Sequence, residues 1–144
     1  RGTVTLQNAD PMADPVIDPQ FLSDRRDLDT MIKGAKMTRQ ILQTEPLASY
    51  AKRELFNVKD HMSDAEWERH IRARADTIYH PVGTCKMGID DLAVVDPQLR
   101  VHGLTRLRVV DASVMPTLIG GNTNAPTIMI AEKCADMIKA DYAT

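Results

Sequence analysis

The stretch Ile78-Tyr79-His80-Pro81-Val82-Gly83-Thr84-Cys85-Lys86-Met87-Gly88 constrains the chain most. It reads as a strand end or loop. Pro81 fixes its own φ and biases His80 toward an extended backbone. Gly83 and Gly88 allow a sharp turn or the close approach of another group. The bend therefore presents His80, a side chain that gains or loses a proton near neutral pH. A second stretch, Gly120-Gly121-Asn122-Thr123-Asn124-Ala125-Pro126-Thr127, is also built for turning. The chain is expected to bring these two stretches together.

A length of 144 residues, 43% of them hydrophobic and 26% charged, suffices for one globular domain with a core. A net charge of −2 gives no footprint for nucleic acid or an anionic membrane. No apolar run approaches the roughly 18 residues that span a bilayer. Cys85 and Cys134 make no disulfide framework, and a reducing compartment is the expectation. The chain starts at Arg1 with neither a methionine nor a secretory signal, and reads as a piece of a longer protein.

Thr3–Gln7 alternates as a strand with one wet face, and Asn8–Pro11 turns the chain. Val16-Ile17 is a second short strand. From Asp24 to Leu42 the period becomes helical, with Leu28, Met31, Ile32, Ala35 and Leu42 on the inner face and Ser23 or Asp24 as cap. Residues 47–62 are irregular. Ser63 and Glu66 form a capping box for a helix to about Ala75 that carries Trp67, His70 and Ile71. Val94-Val95 and Leu99–Val101 are short extended pieces, His102–Thr105 is a turn, and Leu107–Asp111 is expected to be a strand. A last helix runs from Asn124, its expected cap, to about Lys139. Ile128, Ala131, Cys134, Ala135 and Ile138 are its expected buried stripe, widened by Met129 and Ile130. Strands and helices mix without βαβ alternation, so the fold class is α+β, an antiparallel sheet packed with helices.

His80 is either a structural hydrogen-bonder or a catalytic base. Asn122 is either a turn residue or a donor aimed at an oxygen that becomes negative. The start of the last helix carries free N–H groups and positive potential, as most helices do. His80, Cys85, His102 and Cys134 are metal-ligand types, but their spacings of 5, 17 and 32 residues match no zinc pattern, so no metal is expected. Cys85 lacks a spaced partner that would make it a nucleophile. His80 with Ser113 as a hydrolase pair lacks a nucleophile-elbow pattern. No Gly-x-Gly-x-x-Gly or P-loop is present, so the chain shows no nucleotide-binding unit of its own.

Tyr79–Gly88, Val95-Asp96-Pro97, Leu99–Gly103, Leu107–Pro116 and Gly121–Lys133 together resemble the C-terminal region of the glucose–methanol–choline (GMC) flavoprotein oxidoreductases, in their bacterial choline and alcohol dehydrogenase branch. The likeness is strongest over residues 77–140, looser over 1–50 and weakest over 51–76. It implies a FAD enzyme oxidising a primary alcohol to an aldehyde, by proton removal from the hydroxyl and hydride transfer to flavin N5. It also implies that residues 1–144 are the substrate-side domain, with 107–144 returning as a strand and helix to a FAD domain absent here. That FAD domain in cis and a small alcohol are the implied partners. By the same resemblance His80 is the base and Asn122 the second active-site position. Asp111 and Ala112 meet the flavin at a strand end, and Asn124, Pro126 and Thr127 open the helix beneath its ring. The expected location is the cytoplasm, with contact to the inner membrane through the electron acceptor. Self-association of the isolated piece through its exposed apolar surface is a further expectation. The rival reading is a free-standing small-molecule binding module without redox chemistry.

Overall fold

A computed structural model describes residues 1–143. The chain divides after Asp76 into two compact units, each with its own core.

The first unit opens with β1 (Thr3–Thr5) paired antiparallel to β2 (Val16–Asp18), Val4 facing Ile17. β1 stops two residues short of the alternation that runs through Gln7. The Asn8 side chain accepts the Asp10 N–H at 2.8 Å and starts a turn that draws the chain off the ladder. α1 (Arg25–Leu42) begins at Asp24, whose carboxylate accepts the Arg26 N–H at 2.9 Å. The Arg26 side chain, with Arg1 beyond it, holds that carboxyl well below the usual carboxylate range. α2 (Asp64–Arg74) has the expected capping box: Ser63 Oγ accepts the Glu66 N–H and Glu66 accepts the Ser63 N–H. These hydrogen bonds from Ser63 favour ionised Glu66 and lower its pKa.

Leu28 and Ile32 of α1 pack with Trp67 and Ile71 of α2, each pair one helical turn apart. Arg25 reaches Glu68 at 2.7 Å, and Lys36 reaches Asp64, so charges flank the apolar seam. Met31 and Leu42, expected on the inner face, are exposed. α2 has 11 residues against 18 in α1, too short to cover the whole length of its neighbour. Residues 47–62 hold a single 3-10 turn at Leu47–Tyr50 and are otherwise irregular.

The second unit begins at Thr77. Its loops are joined by isolated bridges, Met87 with Val95, Val95 with Val101, and Arg100 with Arg108. Leu107–Asp111 is therefore not the regular strand expected. Around it the Val101 N–H donates to the Leu107 carbonyl at 3.0 Å and the Val109 N–H to the Leu99 carbonyl at 3.2 Å. The Leu99 and Arg106 backbones have positive φ, which breaks the extended geometry that a longer ladder needs. A 3-10 turn at Ala112–Val114 follows, and then α3 (Asn124–Tyr142).

Val95, Leu99, Val114 and Met115 from the loops enclose Ile130 and Cys134 of α3. The buried stripe of α3 is thus turned from the one expected. Cys134 is shared, but Ile128, Ala131 and Ile138 face outward and Ile130 faces inward. Ile128, Met129 and Ile130 are all apolar, so periodicity leaves the phase open there; docking against Val114 and Met115 selects Ile130. At the far end Asp141 binds both Arg100, at 2.8 Å, and Arg108, at 2.5 Å. The two guanidiniums, Arg100 first, lower the Asp141 pKa.

Leu28→Ala should destabilise the protein by about 3 kcal/mol, whereas Met31→Ala on the outer face should cost about 0.5 kcal/mol. Urea midpoints test this, and equal losses would contradict the core assignment. Gly83 has φ +87° and a Cβ there would sit 3.4 Å from the Met115 carbonyl, while nothing lies within 4 Å at Gly121. Gly83→Ala should cost about 1–2 kcal/mol and Gly121→Ala under about 0.5 kcal/mol, by the same measurement.

Candidate active site

His80 and Asn122 lie 42 residues apart in sequence, both within the second unit. Backbone pairing explains how they meet. The Cys85 N–H donates to the Ser113 carbonyl at 3.0 Å, and the Met87 N–H to the Val114 carbonyl at 2.8 Å. The segment after His80 is thereby laid beside Ala112–Met115, from which the chain continues to Gly120-Gly121-Asn122. Gly83 lets the first segment turn between Pro81 and Cys85: the Lys86 N–H closes that turn on the Gly83 carbonyl at 3.2 Å.

The Asn122 amide nitrogen sits 3.1 Å from His80 Nε2. The other ring nitrogen, Nδ1, bonds to the Ile78 carbonyl. A carbonyl only accepts, so Nδ1 carries a proton. In the neutral ring Nε2 then holds the lone pair, and the Asn122 N–H donates to it. His80 is half-buried and Asn122 is exposed. The pair thus presents a proton acceptor and an amide at an accessible surface. The expectation that the two turning stretches converge is met. The Ile78 carbonyl was not legible beforehand, because every residue offers a carbonyl and only the backbone path aims it.

The other expected site residues fall on two nearby pieces of chain. The Asp111 carboxylate accepts the Ser113 N–H at 2.8 Å and its hydroxyl as well, capping the 3-10 turn, and Ala112 packs against the core. The Ser113 hydroxyl is directed to Asp111, which leaves the hydrolase pairing with His80 unsupported. Asn124 is the first residue of α3 rather than its cap; Thr123 occupies the cap position and makes no side-chain bond to the first turn. Thr127 returns both its N–H, at 3.0 Å, and its hydroxyl, at 2.7 Å, to the Thr123 carbonyl. Pro126 has no N–H to place, so the N–H groups of Asn124 and Ala125 are left at an open helix start.

The alternative roles weighed for His102 and the cysteines meet structural employment. His102 Nε2 is 3.1 Å from the Gly88 carbonyl, where it fastens the second glycine turn. Cys134 is a core side chain, and Cys85 is half-buried beside the Ser113 backbone. Among the described residues no three His, Cys, Asp or Glu side chains group as a metal site, and no helix is long and apolar enough to cross a membrane.

A family model of the GMC oxidoreductases matches residues 1–131. The chain is 54% identical over its whole length to an alcohol dehydrogenase [acceptor] of Pseudomonas putida, and covers 26% of that protein. It is 49% identical over 99% of its length to a mitochondrial choline dehydrogenase of Homo sapiens, covering 24% of it. Among solved structures, pyridoxine 4-oxidase from Mesorbium loti superposes with a TM-score of 0.86 at 37% identity, over 94% of this chain and 26% of that one. A formate oxidase of Aspergillus oryzae, studied for FAD modification, superposes at 0.88 with 35% identity, over 99% of this chain and 25% of that one. The chain spans about a quarter of the length of these relatives. The chain belongs to the GMC oxidoreductases, as their C-terminal region.

Proposed function

We propose that this chain supplies the proton-handling side of a FAD-dependent dehydrogenase that oxidises a primary, choline-like alcohol to an aldehyde. The observation that carries the reading is the pairing of His80 Nε2 with the Asn122 amide, in a chain whose relatives are named for alcohol and choline oxidation.

An alcohol gives up its hydroxyl proton more readily when a base waits at hydrogen-bond distance. His80 Nε2, with its lone pair outward, is that base. Once the proton has moved, the substrate oxygen carries negative charge and the imidazole carries positive charge. Asn122 has by then turned its N–H from the ring to that oxygen, which frees the Nε2 lone pair for the hydroxyl proton, and its short side chain needs little rearrangement to do so. Asparagine cannot accept the proton under these conditions, so the base role rests on His80 alone. The Ile78 carbonyl strengthens its bond to Nδ1–H as the ring becomes charged.

The start of α3 fits a flavin. Its first-turn N–H groups have no side-chain cap from Thr123, and they stand two residues past Asn122. That positive end would stabilise negative charge on a flavin ring, with Asn124, Pro126, Thr127, Asp111 and Ala112 as the residues that would hold it. The flavin, when bound, accepts the hydride released from the alcohol carbon. Leu118, Ile119, Ile128 and Met129, on either side of Asn122 in the sequence, are exposed apolar side chains that would help exclude water if the rest of the enzyme and its cofactor cover them.

The test is turnover of the full-length protein with a primary alcohol and an artificial electron acceptor, alongside its visible absorbance. His80→Ala should lower kcat about 10²–10⁴-fold, and Asn122→Ala about 10²-fold, with the flavin spectrum retained. Activity of His80→Ala within a few-fold of the parent would remove the base role. A full-length protein carrying no flavin would favour a binding module instead.

A further inference from the structure

The bond between His80 Nδ1 and the Ile78 carbonyl spans only one intervening residue, Tyr79. The Tyr79 backbone therefore decides whether that carbonyl reaches the ring. Tyr79 adopts φ +60°, the left-handed region that an L side chain avoids. Its N–H donates to the Thr77 hydroxyl at 3.1 Å, an arrangement that fixes the orientation of the Ile78–Tyr79 peptide. Pro81 restricts the other side of His80. The imidazole is thus held between a locked turn before it and a proline after it.

We propose that Thr77 and Tyr79 are positioning residues: the Thr77 hydroxyl and the left-handed Tyr79 backbone aim the Ile78 carbonyl at His80 Nδ1, and so keep the lone pair on Nε2, facing Asn122. The property invoked at this position is the Tyr79 backbone conformation, φ +60°. A neutral imidazole has two tautomers, and only one has its lone pair toward the amide. Without the carbonyl only Asn122 constrains the ring, and its amide can present oxygen to a protonated Nε2 as readily as N–H to a bare one, so both tautomers become accessible. The catalytic consequence rests on the base role proposed above; the tautomer itself does not.

The experiment uses the full-length holoenzyme with ¹⁵N-labelled histidine, the His80 signals being assigned by their loss in His80→Gln. In the parent at neutral to alkaline pH, the unprotonated nitrogen should be Nε2. Tyr79→Val, whose β-branched side chain opposes positive φ, should move the ring to mixed tautomers and lower kcat roughly tenfold or more, with substrate affinity within about twofold. Tyr79→Gly and Tyr79→Asn, which tolerate that conformation, should keep the parent tautomer. Thr77→Val should mimic Tyr79→Val, and Thr77→Ser should restore the parent behaviour; this pair decides the matter if Tyr79→Val fails to fold. A parental tautomer in both Tyr79→Val and Thr77→Val would overturn the proposal. So would a Tyr79→Gly protein as mixed as Tyr79→Val, because the side chain would then be what matters. Tautomers that behave as expected while kcat stays unchanged would leave the positioning intact and strike the base role.

Discussion

Two backbone hydrogen bonds, Cys85 to Ser113 and Met87 to Val114, carry the architecture of the second unit. They fasten the segment after His80 to the segment before Asn122, with no regular sheet between them. Each such bond contributes about 1 kcal/mol net, and their larger effect is geometric. They are flanked by fully buried Val95 and Val114, so water does not compete for them. Everything chemical that follows depends on this seam, because a histidine and an asparagine 42 residues apart have no local reason to meet.

The site combines a rigid surround with a short, adaptable partner. His80 is held through its own backbone neighbourhood, and Asn122 sits after two glycines with nothing within 4 Å of a Cβ built on either. The contrast suits the proposed reaction, in which His80 would keep one heading while Asn122 changes its partner from a ring nitrogen to a developing oxyanion. The Arg100–Asp141–Arg108 group pins the far end of α3, and Arg25–Glu68 edges the helix pair of the first unit. Such exposed pairs contribute little stability singly, and orientation is the more useful account of them.

The α1–α2 pair and its caps were legible from sequence because the signals are local. A capping box needs residues three apart, and a buried row needs apolar side chains four apart; Ser63 with Glu66, and Leu28 with Ile32, satisfy both conditions. The stripe of α3 was legible only as apolar content. Ile128, Met129 and Ile130 are equivalent by hydropathy, and the choice of Ile130 belongs to Val114 and Met115 across the contact. Leu107–Asp111 has strand composition but makes a single bridge, since β propensity describes fit to a pleated partner and no long partner is present among the described residues.

The sequence by itself determined which chemistry is available: one bend-mounted histidine, an asparagine behind two glycines, and a helix start whose third residue, Pro126, has no N–H. It also carried the resemblance to the family that the comparisons show. Tertiary structure alone decided that His80 faces Asn122, which ring nitrogen carries the proton, and which side of α3 is buried. The physical reason is range. Turn chemistry, capping and periodicity act over a few residues, whereas the meeting of His80 with Asn122 is set by hydrogen bonds and packing between segments that only the folded chain brings side by side.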